Sequence, residues 1–150
     1  YRLNPLEGSS TVFNRNAGYI YGLKTSLIKT YFQNRCTQLD EGYTLAYEMT
    51  HVRYMGTDTV VKVMKGDTVV ETYKILIFGD LSGDGQINHI DVSIISDIID
   101  GTYELEEGSL VEIAADVYQP GSGITIEDKE LLHDVYWDFS SLPQNPYATI

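Results

Sequence analysis

Basic side chains are scarce in this chain of 150 residues: 10 Lys and Arg stand against 22 Asp and Glu, giving a net charge of −12 and a pI near 4.4. A surface of that sign repels phosphate, which argues against nucleic acids and anionic membranes as partners. Cysteine is limited to Cys36, so no internal disulfide can form, and a secreted life is neither proved nor excluded. No apolar run approaches the roughly 20 residues of a membrane-spanning helix, so no membrane insertion is expected. The N-terminal Tyr1-Arg2-Leu3-Asn4-Pro5 is not a signal peptide. Because it opens on Tyr1, we expect the chain to be an excised piece whose export signal, if it has one, is missing. What is present is a 43% apolar content, enough for a packed core and too much for wholesale disorder. The length allows one domain or two small ones and leaves no room for a large enzyme.

The charge is unevenly placed. Between Asp80 and Asp138 there are 15 Asp and Glu against Lys129 alone, while the rest of the chain carries 7 acids and 9 bases. The net −12 is therefore −14 plus +2, and composition divides the chain near Phe78-Gly79-Asp80. A solvated acidic face explains part of this excess. Carboxylates at fixed spacing within one short loop would instead need a cation.

Residues 1–78 read as a small α+β module, one helix against a mostly antiparallel sheet. Tyr19-Ile20-Tyr21-Gly22-Leu23 is a short strand and turn. Thr25 to Asn34 places Leu27, Ile28, Tyr31 and Phe32 at amphipathic-helix spacing, with Thr25 as N-cap. Tyr43 to Met49 alternates as a half-buried strand does. Val60 to Met64 and Thr68 to Phe78 are β-rich and flank the tight turn Lys65-Gly66-Asp67. No catalytic pattern stands out. His51 reads as surface polar, and Cys36, near a helix C-terminus, as a poor nucleophile.

Chemistry concentrates in the twelve residues Asp80-Leu81-Ser82-Gly83-Asp84-Gly85-Gln86-Ile87-Asn88-His89-Ile90-Asp91. Oxygen-bearing side chains occupy loop positions 1, 3, 5, 9 and 12 (Asp80, Ser82, Asp84, Asn88, Asp91), and Gln86 offers its carbonyl at position 7. That is the ligand spacing of an EF-hand loop around Ca2+, with Gly85 at position 6 where the chain turns sharply. Three carboxylates would repel one another without an ion, so binding should be coupled to ordering. A helix follows at once, with Ile90, Ile94, Ile95, Ile98 and Ile99 as its apolar stripe. A strand rather than a helix enters the loop, unlike a calmodulin-type hand.

Gly79-Asp80-Leu81-Ser82-Gly83-Asp84-Gly85-Gln86-Ile87-Asn88, Asp91 and the Ile stripe resemble a dockerin, the calcium-dependent module that plugs secreted bacterial enzymes and scaffoldins into a cohesin. A second copy begins 36 residues later, from Ala114-Ala115-Asp116-Val117 through Ile124 and Asp128 to Leu131-Leu132. The resemblance covers roughly Gly79 to Phe139. More loosely, a β-rich module running into Phe78-Gly79-Asp80 is similar to X modules that precede dockerins in cellulosome- and amylosome-type proteins. It implies an all-α calcium-binding dockerin-like module with a C-terminal tail at residues 79–150, an extracellular or cell-surface location, a cohesin partner and no catalysis.

The second loop departs from the pattern. Asp116 to Asp128 spans thirteen residues, with Tyr118 and Pro120 near expected ligand positions. It reads as a degenerate, weak second site of Asp116 and Asp128, with Gln119, Ser122 and Thr125 as helpers. The resemblance places the partner-facing surface on His89, Ile90, Ser96, Asp97 and Gly101 in the first repeat, and on Ile126, Glu127, His133 and Asp134 in the second. Trp137 is expected to pack near Phe78, and the tail around Leu142 to Pro146 to lie across this module or along the first. Two rival readings are an EF-hand-type calcium sensor or buffer without a cohesin, and a glycoside-hydrolysing enzyme using Glu106 and Glu107. The lack of an entering helix and of a Met-rich groove weighs against the sensor. The missing substrate cleft weighs against the enzyme.

Overall fold

A computed structural model describes residues 1–49, 51, 53–118, 120, 121, 123–137, 142 and 144. The strands are β1 (Leu3–Pro5), β2 (Val12–Asn14), β3 (Tyr19–Tyr21), β4 (Thr37–Leu39), β5 (Thr44–Glu48), β6 (Val60–Lys65) and β7 (Thr68–Ile75). Four short α-helices accompany them: α1 (Lys29–Tyr31), α2 (His89–Asp100), α3 (Leu110–Ala115) and α4 (Ile126–Tyr136).

Five strands form one sheet in the order β2-β3-β7-β6-β5, and β1 pairs with β4 in a separate two-stranded ladder. The β6–β7 hairpin turns at Gly66, whose positive φ suits the tight turn. A bulge between Val63 and Met64 breaks its register and leaves Val69 and Val70 exposed. β3 and β7 run parallel, with Tyr19 opposite Lys74 and Ile20 opposite Ile75.

Two hydrophobic cores share one wall. After β7 the chain stays extended, and its alternation sends Ile75 and Ile77 to one side and Leu76 and Phe78 to the other. The first core adds Leu3, Ile20, Leu27, Phe32, Met55 and Val61. The second joins Leu76, Phe78 and Leu81 to Ile95, Ala114, Ala115 and Leu132, with Tyr19 and Tyr21 packed against it. Tyr21 meets Phe78 edge-on, ring centroids 6.1 Å apart. Gln144 fastens this wall. Its Oε1 accepts from Phe78 N–H (2.7 Å), its Nε2 donates to Phe78 O (3.0 Å), and its carbonyl accepts from Gly22 N–H (3.1 Å).

These observations overturn the expected fold class, an antiparallel β-rich module with one helix followed by an all-α calcium-binding module. Among the described residues the chain is a small sheet-rich fold with a mixed five-stranded sheet, a two-stranded ladder and four short α-helices. Period-two alternation marks Ile20 as inward-facing but does not encode its neighbour's direction, so the parallel β3–β7 pair was invisible. Helices of 12, 6 and 11 residues bury their apolar faces partly on Tyr19, Tyr21, Leu76 and Phe78 rather than only on each other.

Local expectations are corrected too. The helix expected over Thr25 to Asn34 is one turn at Lys29–Tyr31 followed by a π-helical turn at Phe32–Cys36. Leu27 instead bridges Met55 as β-structure, Ile28 and Tyr31 are exposed, and Thr25 caps nothing because the N-cap is Ile28. Trp137 is exposed and lies against Tyr136 and His133 (ring centroids 5.2 and 6.2 Å), not Phe78, where Gln144 sits instead.

Candidate metal centre

The Asp80 loop lies between the shared wall and α2. Its two ends are fixed by backbone needs that the sequence supplies locally. At the far end Asn88 Oδ1 accepts from Ile90 N–H (3.0 Å) and Asp91 Oδ2 accepts from Asn88 N–H (2.9 Å), a reciprocal cap that starts α2. Gly101, at φ +80°, closes the helix. Within the loop Asp80 Oδ1 accepts from Gly83 N–H (3.1 Å) and Oδ2 from Gly85 N–H (2.9 Å), while Asp91 Oδ1 accepts from Ser82 N–H (2.9 Å).

Asp80, Asp84 and Asp91 each offer a carboxylate oxygen, and these atoms lie within 4.8 Å of one another. Asp80 and Asp91 are fully buried and Asp84 half-buried. Burial, reinforced by the negative neighbours, pushes Asp80 up to about 7 against the Thr57 and Gly85 amides that favour its ionised form. Burial likewise lifts Asp91 to about 6, opposed by the Ser82 and Asn88 amides. For Asp84 burial also acts upward, but hydrogen bonds from Gln86 N–H (3.0 Å) and Asn88 Nδ2 (3.0 Å) outweigh it and its pKa falls below the ordinary value. An all-oxygen set with three carboxylates suits a hard divalent cation, whose charge would take the place of the protons.

Of the other expected ligands, Ser82 Oγ lies 3.4 Å from Asp80 Oδ1. Asn88 is engaged as helix cap and as donor to Asp84 Oδ2. The Gln86 side chain turns away to donate to Ser26 Oγ (3.0 Å), leaving its carbonyl as the group in question.

The second loop repeats the bracket but not the cluster. Asp128 Oδ1 accepts from Tyr118 N–H (2.8 Å) and Oδ2 from Thr125 N–H (2.6 Å), matching the two bonds of Asp91. Asp116 Oδ2 accepts from Gly121 N–H (2.8 Å), and its Oδ1 is buried with no hydrogen-bond partner. Among the described residues no third carboxylate joins this pair. Gln119 and Ser122, expected as helpers, lie outside the described residues.

Sequence reasoning missed a set of residues from the first half that touch the Asp80 loop. Thr57 N–H donates to Asp80 Oδ2 (3.0 Å), Ser26 N–H to Gly85 O (2.7 Å), and His51 Nε2 to Ser82 O (3.2 Å). The only local signal was Gly56 in the Met55-Gly56-Thr57-Asp58 turn, and nothing in the sequence marks Ser26, whose φ of +58° the structure alone reveals.

No family model, curated protein or solved structure matches this chain. The functional reading therefore rests on the site itself.

α2 packs on α4, and the His89 ring lies 6.2 Å from that of Tyr136, so the start of one helix meets the end of the other. His89, Ile90, Asp97 and Gly101 are exposed, as are Ile126, Glu127, His133 and Asp134. Ile90 lies about 140° round α2 from the buried Ile95, which puts it off the apolar face. Ser96 is half-buried, its Oγ bonded to Val92 O (2.9 Å). Glu106 and Glu107, weighed above as an acid/base pair, are exposed on an open cleft that also includes Tyr19, Asp58 and Lys74. No helix among the described residues is long and apolar enough to cross a membrane.

Proposed function

We propose that this chain is a calcium-dependent protein–protein adaptor that docks a cohesin-type partner through α2 and α4. It would anchor its parent protein in an extracellular polysaccharide-degrading complex, with residues 1–78 bracing the loop. The observation that carries this reading is the set of three carboxylates within 4.8 Å, on a twelve-residue loop whose last residue also caps α2.

Asp80, Asp84 and Asp91 would hold the ion, helped by Ser82 Oγ, Asn88 and the Gln86 carbonyl. Bound Ca2+ supplies the positive charge that lets three clustered carboxylates stay ionised. Asp91 belongs to both loop and helix, so holding it in place holds the start of α2. A helix fixed in this way presents His89 and Ile90 without an ordering penalty at the moment of docking. The second loop, with its Asp128 bracket and the unpartnered Asp116 Oδ1, serves as a degenerate site that holds its shape mainly by hydrogen bonds.

The test is calorimetric titration of cohesins into the full chain, in calcium and in chelator. Binding should appear only in calcium, and Asp80→Ala with Asp84→Ala should abolish it. Tight calcium uptake with no cohesin binding would favour a sensor or buffer, and cohesin binding unaffected by chelator would overturn the mechanism.

A further inference from the structure

Two segments distant in sequence close over the outside of the Asp80 loop, and they are tied to each other. Leu27 and Met55 form an isolated antiparallel bridge, with Met55 N–H donating to Leu27 O (2.7 Å). Ser26, on one side of this bridge, holds Gly85 O through its amide and Gln86 Nε2 through its hydroxyl. Thr57, on the other side, is anchored to the shared wall: its Oγ accepts from Ile77 N–H (3.1 Å) and lies 3.1 Å from Ile77 O. From there its amide reaches Asp80 Oδ2, alongside the Gly83 and Gly85 amides that come from the loop itself.

The fit leaves no slack. A Cβ on Gly56 would stand 2.5 Å from Asp80 Oδ2 and nearer still to the Gly83 carbonyl, and one on Gly85 would stand 2.6 Å from Tyr54 Cβ. Gly56 has no positive φ to explain its glycine, so close approach to the loop is the reason for it.

We propose that the Ser26–Leu27 and Met55–Thr57 bridge is an outer clasp that sets the cation affinity of the Asp80 loop, so that ion binding and closure of the first half onto the loop are coupled. Gly56 and Thr57 are positioning residues: they act through Asp80, orienting its carboxylate as hydrogen-bonding partners behind a metal ligand do. The coupling is reciprocal, since whatever the clasp adds to affinity the ion must add to the clasp. This inference rests on the calcium reading above.

The test uses the full chain stripped with chelator and titrated with calcium chloride, together with amide hydrogen exchange of the wild type with and without calcium. Gly56→Ala should weaken calcium binding about 10- to 100-fold. Thr57→Ser, which keeps both amide and hydroxyl, should retain it. Gly66→Ala, at the tip of the β6–β7 turn where φ is +60° and an added Cβ would meet nothing within 4 Å, should lower stability without changing affinity. Calcium should slow exchange at the Ser26 and Thr57 amides. Unchanged affinity in folded Gly56→Ala, an equal loss in Gly66→Ala, or calcium protection confined to residues 80–91 would each overturn the coupling and leave the calcium reading standing. If Gly56→Ala does not fold, the wild-type exchange pattern decides. A wild type that takes up no calcium removes the calcium reading, and the coupling with it.

Discussion

Raising the pH of the calcium-free protein from about 4 to 7 should destabilise it, the reverse of what a salt-bridged carboxylate does. Burial in the folded chain pushes Asp80 up to about 7 and Asp91 up to about 6, both from 3.8. Between those values the folded state holds protons that the unfolded state has released. Its advantage is therefore complete below about pH 4 and lost as pH rises through 6 and then 7. One pKa unit corresponds to about 1.4 kcal/mol, so the two groups together are worth several kcal/mol. That is a large share of the stability of a small fold, which is typically about 5–15 kcal/mol. Calcium turns the dependence round. At pH 5 both protons must be displaced before the carboxylates can serve as ligands, whereas at pH 7 Asp91 has lost nearly all of its proton and Asp80 about half. The apparent affinity should then rise by about two to three orders of magnitude from pH 5 to 7, from the two values above. The assay is thermal unfolding at half-unit pH steps in chelator and in excess calcium, with calorimetry at pH 5 and 7. A chelator curve that is flat or rises toward neutral pH would refute the reasoning, as would a calcium effect of equal size at both pH values.

Other substitutions separate the roles of the two loops and the cores. Asp91→Ala should lose calcium binding and also destabilise the calcium-free protein, because Ser82 and Asn88 lose their acceptor; circular dichroism in chelator and in calcium would show both losses. Asp128→Ala removes the matching bracket from a loop with no carboxylate cluster, so its destabilisation, about 1–3 kcal/mol per orphaned amide, should be the same with and without calcium in denaturant titration. Leu132→Ala, at a fully buried position in the second core, should cost about 2–5 kcal/mol by the same method. Ile126→Asp, at an exposed position, should leave the melting temperature nearly unchanged and weaken cohesin binding in calorimetry.

The Asp80 carboxylate cluster was legible because its chemistry is local. Asp80, Asp84 and Asp91 lie within one twelve-residue window, and their spacing alone brings them together. α2 was legible from its Ile90 to Ile99 stripe and the Gly101 stop, and it runs one residue further at each end because Asn88 and Asp91, read as ion ligands, also cap it. Thr125 and Asp128, read as ion ligands, form the cap that starts α4, while β5 was marked by polar–apolar alternation and β6 and β7 by their β-branched and apolar residues. What could not be read depends on partners distant in sequence. Leu27 has helical spacing to Tyr31 but pairs with Met55, and the bridge to a segment 28 residues away outweighs weak local propensity. The strands β1, β2 and β4 have only three residues each and lack the Tyr-Ile-Tyr and glycine turn that mark β3, which is equally short. α3, at six residues, was hidden for the same reason. The contacts of Gly56 and Thr57 with the Asp80 loop were hidden most completely, because these residues contribute backbone and close approach rather than a recognisable side-chain motif.

The central claim is that the Asp80 loop is a calcium switch for the helix that follows it. A calcium titration of the chelator-stripped chain by calorimetry, with native mass spectrometry for the ion count, tests it most directly. The account predicts one tightly bound ion, a pH-dependent affinity and an accompanying gain in order at α2. A titration with no uptake at neutral pH would contradict it.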